Sequence, residues 1–483
     1  MLEIAAAELS HAASNMLGRR FSPRALLRLL HAIDESQRFS NANEAGTLEL
    51  LKPIRLDDET RREVLLRRFR LQAARAARET VYYRDMFARL GLNPARLRWE
   101  DIAQIPLTPK EGLRDWPYDF VARNAKPFLR TTTTGTTGKP TSICFSVYEL
   151  EISMLLLAIA VLNSREVIPE DIVAICNSSR ANSGNFTGVG ACALVNCLTY
   201  QTGIVDPALT LAMLAEEHFH LGKRQRTTLI GGIYPSYLGE LVETGLRLGY
   251  RPADFALRRI DIGSEILTDG LKARTEQVFG PVPFDESYGM VETWPLGAGV
   301  CPEGHLHFST TQGLVEFINP ETGAPAQPGE IATIVATPLL PYRETTLLLR
   351  YDTQDVVRLL PEPPACALRH MPATSKLLGK LRLSVRHEHG WTFPRDVLEA
   401  LEACEPVPLP ARCSFWSVPG GLAVEVVVRG DPAAAKREVE RSLEGHGVPI
   451  QELHLREDRS QLQHPFPLRC DLKEVSFSPP PKR

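Results

Sequence analysis

The sequence predicts an α/β protein: a large N-terminal domain of layered α/β structure carrying a small β-subdomain, then a small C-terminal α+β domain. Three observations carry this expectation. Strand-like and helix-like stretches alternate through the middle of the chain, the texture then changes to short β-runs with Pro/Gly turns, and Pro361-Glu-Pro-Pro364 breaks the chain before a differently patterned region. Alternation of the first kind puts helices on the faces of a mostly parallel sheet.

Residues 1–48 are Ala/Leu/Arg-rich and helical in pattern, interrupted by the turn-forming run from Ser40 to Gly46. A second helix is expected over 57–80, where Val64, Leu65, Phe69 and Leu71 lie among arginines; its outer face reads as a solvated cationic stripe. The apolar run from Ile152 to Leu162 reads as a buried helix and is about half what a bilayer crossing demands. Strands are expected over 172–176, 199–205, 228–233, 257–262 and 281–288, with helices over 207–218 and 237–248. The β-subdomain holds strands over 314–318 and 329–337. The C-terminal region reads as helix 395–403, strands 412–418 and 421–429, helix 433–444, strand 450–455, and a loose tail at Phe477-Ser-Pro-Pro-Pro481. The resulting division is a helical extension (1–56), a large domain (57–377) and a small domain (378–483), without internal repeats.

At 483 residues and 53.7 kDa the chain is too long for one ordinary core. Its 43% hydrophobic and 23% charged content excludes a disordered class. A net charge of −3 gives no basic field, so neither nucleic acid nor a membrane is an expected partner. Nine cysteines without a short-range framework, and no signal peptide, read as free thiols in a cytoplasmic setting; a monomer or homodimer is expected.

The chemistry concentrates in Thr131-Thr-Thr-Thr-Gly-Thr-Thr-Gly-Lys-Pro-Thr141. Glycines let a backbone turn its N–H groups into one concavity, hydroxyls add short donors, and lysine adds a point charge, which together suit phosphate oxygens. A Walker A loop is excluded, because Thr133 stands where its first glycine belongs and Pro140 where its Mg-binding hydroxyl belongs. Further on, Tyr288-Gly289 precedes Glu292, joining a stacking face to a hard oxygen ligand, and Arg350-Tyr-Asp-Thr-Gln-Asp355 ends on an acceptor-only carboxylate. Taken singly, each could be an ordinary strand end or polar turn.

Together, Thr133-Thr134-Gly135-Thr136-Thr137-Gly138-Lys139-Pro140, Gly263-Ser264-Glu265, Tyr288-Gly289 with Glu292, and the segment ending at Asp355 resemble the adenylate-forming (ANL) superfamily, in the expected order. Thr80-Val-Tyr-Tyr-Arg84, Ile105-Pro-Leu-Thr-Pro-Lys110, Gly231-Gly-Ile-Tyr-Pro-Ser236 and Cys301-Pro-Glu-Gly-His-Leu-His307 resemble its phenylacetate–CoA ligase branch. The resemblance implies activation of an aryl or arylacetic acid by ATP and Mg²⁺ to an acyl-adenylate, then transfer to coenzyme A. An amine or carrier-protein thiol as acceptor, a cofactor hydroxyl as adenylation target, and a degenerate non-enzymatic scaffold stay open. It implies pyrophosphate at the threonine-glycine loop with Lys139, adenine at Gly263-Ser264-Glu265 and on Tyr288, Mg²⁺ on Glu292, and ribose on Asp355. Phe186, Gly188, Tyr234 and Pro235 are expected around the acid, the first two in a loop.

Two departures accompany the resemblance. Gly379-Lys380-Leu-Arg-Leu383 replaces a Gly-Arg-x-Asp-Asp hinge, with Lys380 in the arginine's place. No lysine stands where the family's C-terminal catalytic lysine belongs; alignment puts Pro465 or Phe466 there, and Lys473 falls beyond it. Cys301, His307 (or His305), Cys366 and His370 resemble positions where some relatives hold structural zinc, against the alternative of buried thiols and surface histidines.

Overall fold

The computed structural model describes residues 2–39, 57–133, 140–164, 166–178, 182–388 and 390–470. The chain opens with α1 (Leu2–Leu17) and α2 (Pro23–Phe39). They part at Gly18, whose φ of +63° ends the first helix; the Ser40–Gly46 turn lies outside the described residues. Leu29, Leu30 and Ile33 of α2 are buried against later helices, and Arg20 bonds Glu344 through Nε (2.8 Å) and Nη2 (2.7 Å). This segment is therefore built into the main core.

Next come α3 (Asp58–Glu79), α4 (Val81–Leu90) and the short α5 (Lys110–Asp115), then a hairpin of β1 (Leu129–Thr132) and β2 (Ser142–Phe145). The expected buried helix is α6 (Val147–Asn163), opened by a capping box between Ser146 and Glu149. Then follow β3 (Ile172–Ile175), α7 (Asn182–Val195), β4 (Leu198–Gln201), α8 (Pro207–Ala215), a small hairpin of β5 (His218–His220) and β6 (Lys223–Gln225), β7 (Leu229–Ile233), α9 (Pro235–Leu248), β8 (Arg259–Gly263), α10 (Asp269–Phe279), β9 (Phe284–Gly289), β10 (Gly297–Val300) and β11 (Leu306–Phe308). The main sheet runs β15-β11-β10-β9-β8-β7-β3-β4, where β15 is Ala373–Thr374. Strands β4, β3, β7, β8 and β9 are parallel; β10, β11 and β15 add antiparallel pairs at the far edge.

Three local expectations need correction. The strand expected over 199–205 stops at Gln201, because Gly203 takes a positive φ. The helix expected over 207–218 ends at Ala215, and His218 begins the small hairpin. Residues 185–190 form helix, not loop. Gly190 marks close packing, since a Cβ there would sit 1.9 Å from Met154 Sδ of α6.

A second sheet holds β12 (Gly313–Ile318), β13 (Ile331–Pro338), β14 (Tyr351–Arg358) and β16 (Gly379–Lys380), all antiparallel. The C-terminal unit then comprises β17 (Val385–His387), β18 (Gly390–Thr392), α11 (Pro394–Glu402), β19 (Cys413–Val418), β20 (Gly421–Val427), α12 (Pro432–Gly445) and β21 (Ile450–Arg456), with its own core of Val397, Leu401, Val424, Val439 and Leu443. It docks on α9 and α10 through glycine notches. Added Cβ atoms would lie 2.8 Å from Pro410 N at Gly239 and 2.5 Å from the Glu402 carbonyl carbon at Gly270. Among the described residues no helix is long and apolar enough to cross a membrane, and no disulfide joins the nine cysteines.

Candidate active site

The strand β14 organises one corner of the site. Residues 105–110 attach to it in parallel: Thr108 N donates to Arg350 O (2.8 Å) and Asp352 N to Thr108 O (3.0 Å). Tyr83 fixes the junction, its hydroxyl lying 2.7 Å from Thr108 Oγ1. Two residues later, Lys110 points its ammonium at Glu292, with Nζ 3.0 Å from Oε1. Glu292 is 1% exposed and also accepts from the Tyr351 hydroxyl at 3.3 Å. Burial, the largest single influence, pushes its carboxyl up, but the charge and hydrogen bond of Lys110, a backbone hydrogen bond and the charge of Lys380 together hold it below the usual glutamate range. The result is an ionised carboxylate at the end of β9, with a mobile-stemmed cation as its present partner.

Asp355 lies nearby on the same strand. Its Oδ2 accepts from the Tyr288 hydroxyl (3.0 Å) and its Oδ1 pairs with Lys380 Nζ (2.8 Å), which also donates to Thr353 O (2.9 Å). Direct pairing of Asp355 with Lys380 in the ladder explains the lysine's reach. The register shifts in this part of the β13–β14 ladder, and Gln354 adopts a φ of +61°. Such bulges re-aim side chains beside sites. Asp355 N is tied to Thr353 Oγ1 at 3.1 Å, so the unusual glutamine leaves the aspartate in place. Burial, with the Asp355 carboxylate second, raises the Tyr288 phenol well above its ordinary value and keeps it a donor. Burial also lowers the Lys380 ammonium, opposed by Asp355.

A second corner lies at the carboxyl ends of β3, β7 and β8. Strand order reverses between β3 and β7, the topological switch point at which open α/β sheets bind ligands. Tyr234, after β7, donates to Asn177 Oδ1, after β3, at 2.5 Å across that crevice. Gly263 is a close-approach position, 2.7 Å from Ser287 O for an added Cβ, and Ser264 takes a φ of +71°. Glu265 turns inward to accept from Ser236 N (2.9 Å) and Arg469 N (2.5 Å). Pro235 is buried as the first residue of α9. Phe186, on α7, is 45% exposed and meets Phe128 edge-on at 6.4 Å. Gly188 lies on the same helix, facing Ile175.

The residues Thr134, Gly135, Thr136, Thr137, Gly138 and Lys139 lie outside the described residues. Thr133 closes the base of their hairpin: its N–H donates to Thr141 O and its Oγ1 accepts from Thr141 N, both at 3.0 Å. Sequence reasoning quoted Lys110 within a motif but gave it no role. A lysine opening a helix, against the dipole, was the available signal. Tyr351 likewise stood within the quoted segment ending at Asp355 without a role, and Asn177 left no comparable mark.

The cysteine–histidine residues converge, with one change of membership. Cys301, His305, His307 and Cys366 place potential ligand atoms within 4.8 Å of one another, and Cys366 Sγ lies 3.2 Å from His307 Nε2. His305 stands in the group and His370 does not. The turn after Cys301, closed by Cys301 N to His305 O (2.9 Å) with Gly304 at φ +83°, folds His305 back over the thiol. Residues 366–371 instead form turns of their own, with Arg369 N on Cys366 O and Met371 N on Leu368 O. Both cysteines are 6% exposed, and His305 Nδ1 and His307 Nδ1 are buried without a hydrogen-bond partner. Two thiols and two imidazoles with orphaned nitrogens fit a tetrahedral zinc ion.

No family model matches the chain. Over 306 residues it is 27% identical to the phenylacetate–coenzyme A ligase of Thermus thermophilus, a match covering 60% of this chain and 64% of that enzyme, under two thirds of its length. Over 334 residues it is 28% identical to the phenylacetate–coenzyme A ligase of Pseudomonas putida, covering 66% and 70%. A crystal structure of 2-hydroxyisobutyryl-CoA ligase in the postadenylation state superposes with a TM-score of 0.69 at 17% identity, covering 83% of this chain and 87% of that one. The chain has the adenylate-forming fold. Its sequence similarity to curated proteins is to these two phenylacetate–CoA ligases. The superposition covers 83% of the chain that carries the mixed main sheet, the β12–β16 sheet and the C-terminal unit.

Proposed function

We propose that this protein activates an aryl or arylacetic carboxylic acid with ATP and transfers the acyl group to coenzyme A. The observation that carries the reading is the convergence of Glu292, Tyr288, Asp355 and Lys380 from three separated sequence motifs onto one corner. In this reading Asp355 takes the ribose hydroxyls and Lys380 steadies that carboxylate. Tyr288 offers its ring to adenine, and Gly263-Ser264-Glu265 forms the adenine's backbone wall. Residues 133–139 wrap the pyrophosphate, with Lys139 as their cation. Glu292 would hold Mg²⁺, an ion that shields phosphate charge when bound; the ionised, buried carboxylate fits it. Lys110 neutralises Glu292 meanwhile. Phe186 and Tyr234 border the acid, and residues 378–483 close over the site. The Cys301–His305–His307–Cys366 cluster would hold structural zinc and fasten residues 301–307 to the 366 turn.

The carboxylate oxygen attacks the α-phosphorus, the bond to the bridging β-phosphate oxygen breaks, and pyrophosphate leaves with that electron pair. The coenzyme A thiolate then attacks the acyl carbon and AMP leaves. The protein supplies positioning and charge stabilisation. Similarity to two ligases that act on phenylacetate supports the acid class. Acid-dependent exchange of labelled pyrophosphate into ATP, with phenylacetate and benzoate as probes, tests adenylation. Glu292→Gln is expected to lower that exchange by about 100-fold or more. Coenzyme A is expected to consume the adenylate; an adenylate that accumulates unchanged in its presence points to another acceptor.

A further inference from the structure

After β21 the chain does not stay with the C-terminal unit. Phe466 N donates to Cys413 O (2.7 Å), and within three residues the backbone has crossed to the switch-point crevice of the large unit. There Arg469 N donates to Glu265 Oε1 and Cys470 N to Ser236 Oγ (3.2 Å). The Arg469 side chain follows: its Nε donates to Ser264 O at 2.9 Å, and its guanidinium carbon stands 5.3 Å from the Tyr234 ring centroid. Tyr234 is the residue that bridges to Asn177 across the crevice. A delocalised, permanently charged fork with several donors is therefore delivered to the point where the parallel sheet opens. Glu265 orders the approach from below, accepting from the backbone of both the helix start at Ser236 and the returning tail at Arg469.

We propose that Arg469 is the oxyanion-binding residue of this crevice, engaging the carboxylate of the acid and the α-phosphate oxygen that it attacks. This assignment rests on the adenylation reading above. That reaction brings two negatively charged groups into bonding distance, and a cation between them lowers the repulsion most where charge is densest. The segment in which the family resemblance puts Pro465 or Phe466 at a lysine's place thus supplies its charge a few residues later, from a side chain anchored on the opposite unit. A tether alone would be the competing role, since the backbone contacts of Arg469 and Cys470 already hold the tail.

The test separates them by chemical rescue. In the full-length protein, Arg469→Ala is expected to lower acid-dependent pyrophosphate exchange with phenylacetate or benzoate by about 100-fold. The half-saturating ATP concentration should stay within about threefold, since ribose and pyrophosphate are held elsewhere. Guanidinium chloride at low millimolar concentration is expected to restore part of the lost rate, whereas sodium chloride at equal ionic strength is not. Arg469→Lys should retain intermediate exchange. Exchange by Arg469→Ala within about threefold of the unsubstituted protein overturns the proposal. So does a loss that guanidinium leaves unrestored while thermal stability falls, because that is the tether's signature. If the unsubstituted protein itself shows no acid-dependent exchange, the adenylation reading fails and takes this assignment with it.

Discussion

Lys110 and Glu292 show how a single pair sets what a site can accept. A carboxylate this deeply buried without a partner would take up a proton and lose its use as a hard ligand. The ammonium 3.0 Å away prevents this and is still displaceable, because its side chain is 28% exposed. Tyr288, Glu292 and Asp355 could be singled out in the sequence through the motifs that carry the resemblance, since each alone reads equally as a strand end or polar turn. Lys110 could not, because its role depends on a parallel bridge between residues about 240 positions apart in the chain, Thr108 and Tyr351. The Cys301–His305–His307–Cys366 cluster obeys the same logic. The sequence offered His305 and His307 as alternatives beside His370, and the turn with Gly304 at a positive φ brings both of the first two to the thiols. Metal analysis of the purified protein is expected to find one zinc per chain, lost in Cys366→Ser. Chelation should lower the melting temperature, because a folded metal site contributes folding free energy.

Among elements, the junction of α10 and α11 is the most sensitive to conditions. Glu402 is buried at the end of α11, accepting from Thr268 Oγ1 (2.5 Å), the N-cap of α10, and from Ala411 N (3.1 Å). Burial, against these hydrogen bonds, lifts its carboxyl from 4.5 to about 7. A folded-state value above the unfolded one means that the junction's contribution is complete below about pH 4.5 and lost as pH rises through about 7. Thermal stability is therefore expected to decline from pH 5 to pH 8, and Glu402→Gln, whose one oxygen can still accept from Ala411 N while its amide NH2 donates to Thr268 Oγ1, should flatten that decline. Helix α7 teaches a different lesson about elements. Its glycines read as loop because glycine lowers helix propensity, yet Gly190 is there so that Met154 can lie against the backbone. Propensity is local; the contact that overrides it is not.

At the scale of the whole molecule, the alternation of strands and helices made the parallel part of the sheet legible, down to β3, β7 and β8. The antiparallel edge and the docking of the C-terminal unit were not, since both depend on which surfaces meet. The N-terminal segment shows the same gap. The resemblance left it outside as an extension, whereas Leu30 is 1% exposed within a cluster that includes Val173 and Leu229 of the main sheet. Leu30→Ala is accordingly expected to destabilise the protein by about 2–5 kcal/mol in chemical denaturation, as for any core leucine. A detachable appendage would show no change.

The return of residues 467–470 to the large unit also has a meaning in time. Synthesis proceeds from the N-terminus, and units fold as they emerge. The strands from β3 to β9 and the corner at Asp355 are complete long before Arg469 is made. A ribosome-bound chain thus acquires the Asp355 corner before the Arg469 guanidinium. Completion of the crevice follows completion of the sheet that carries it.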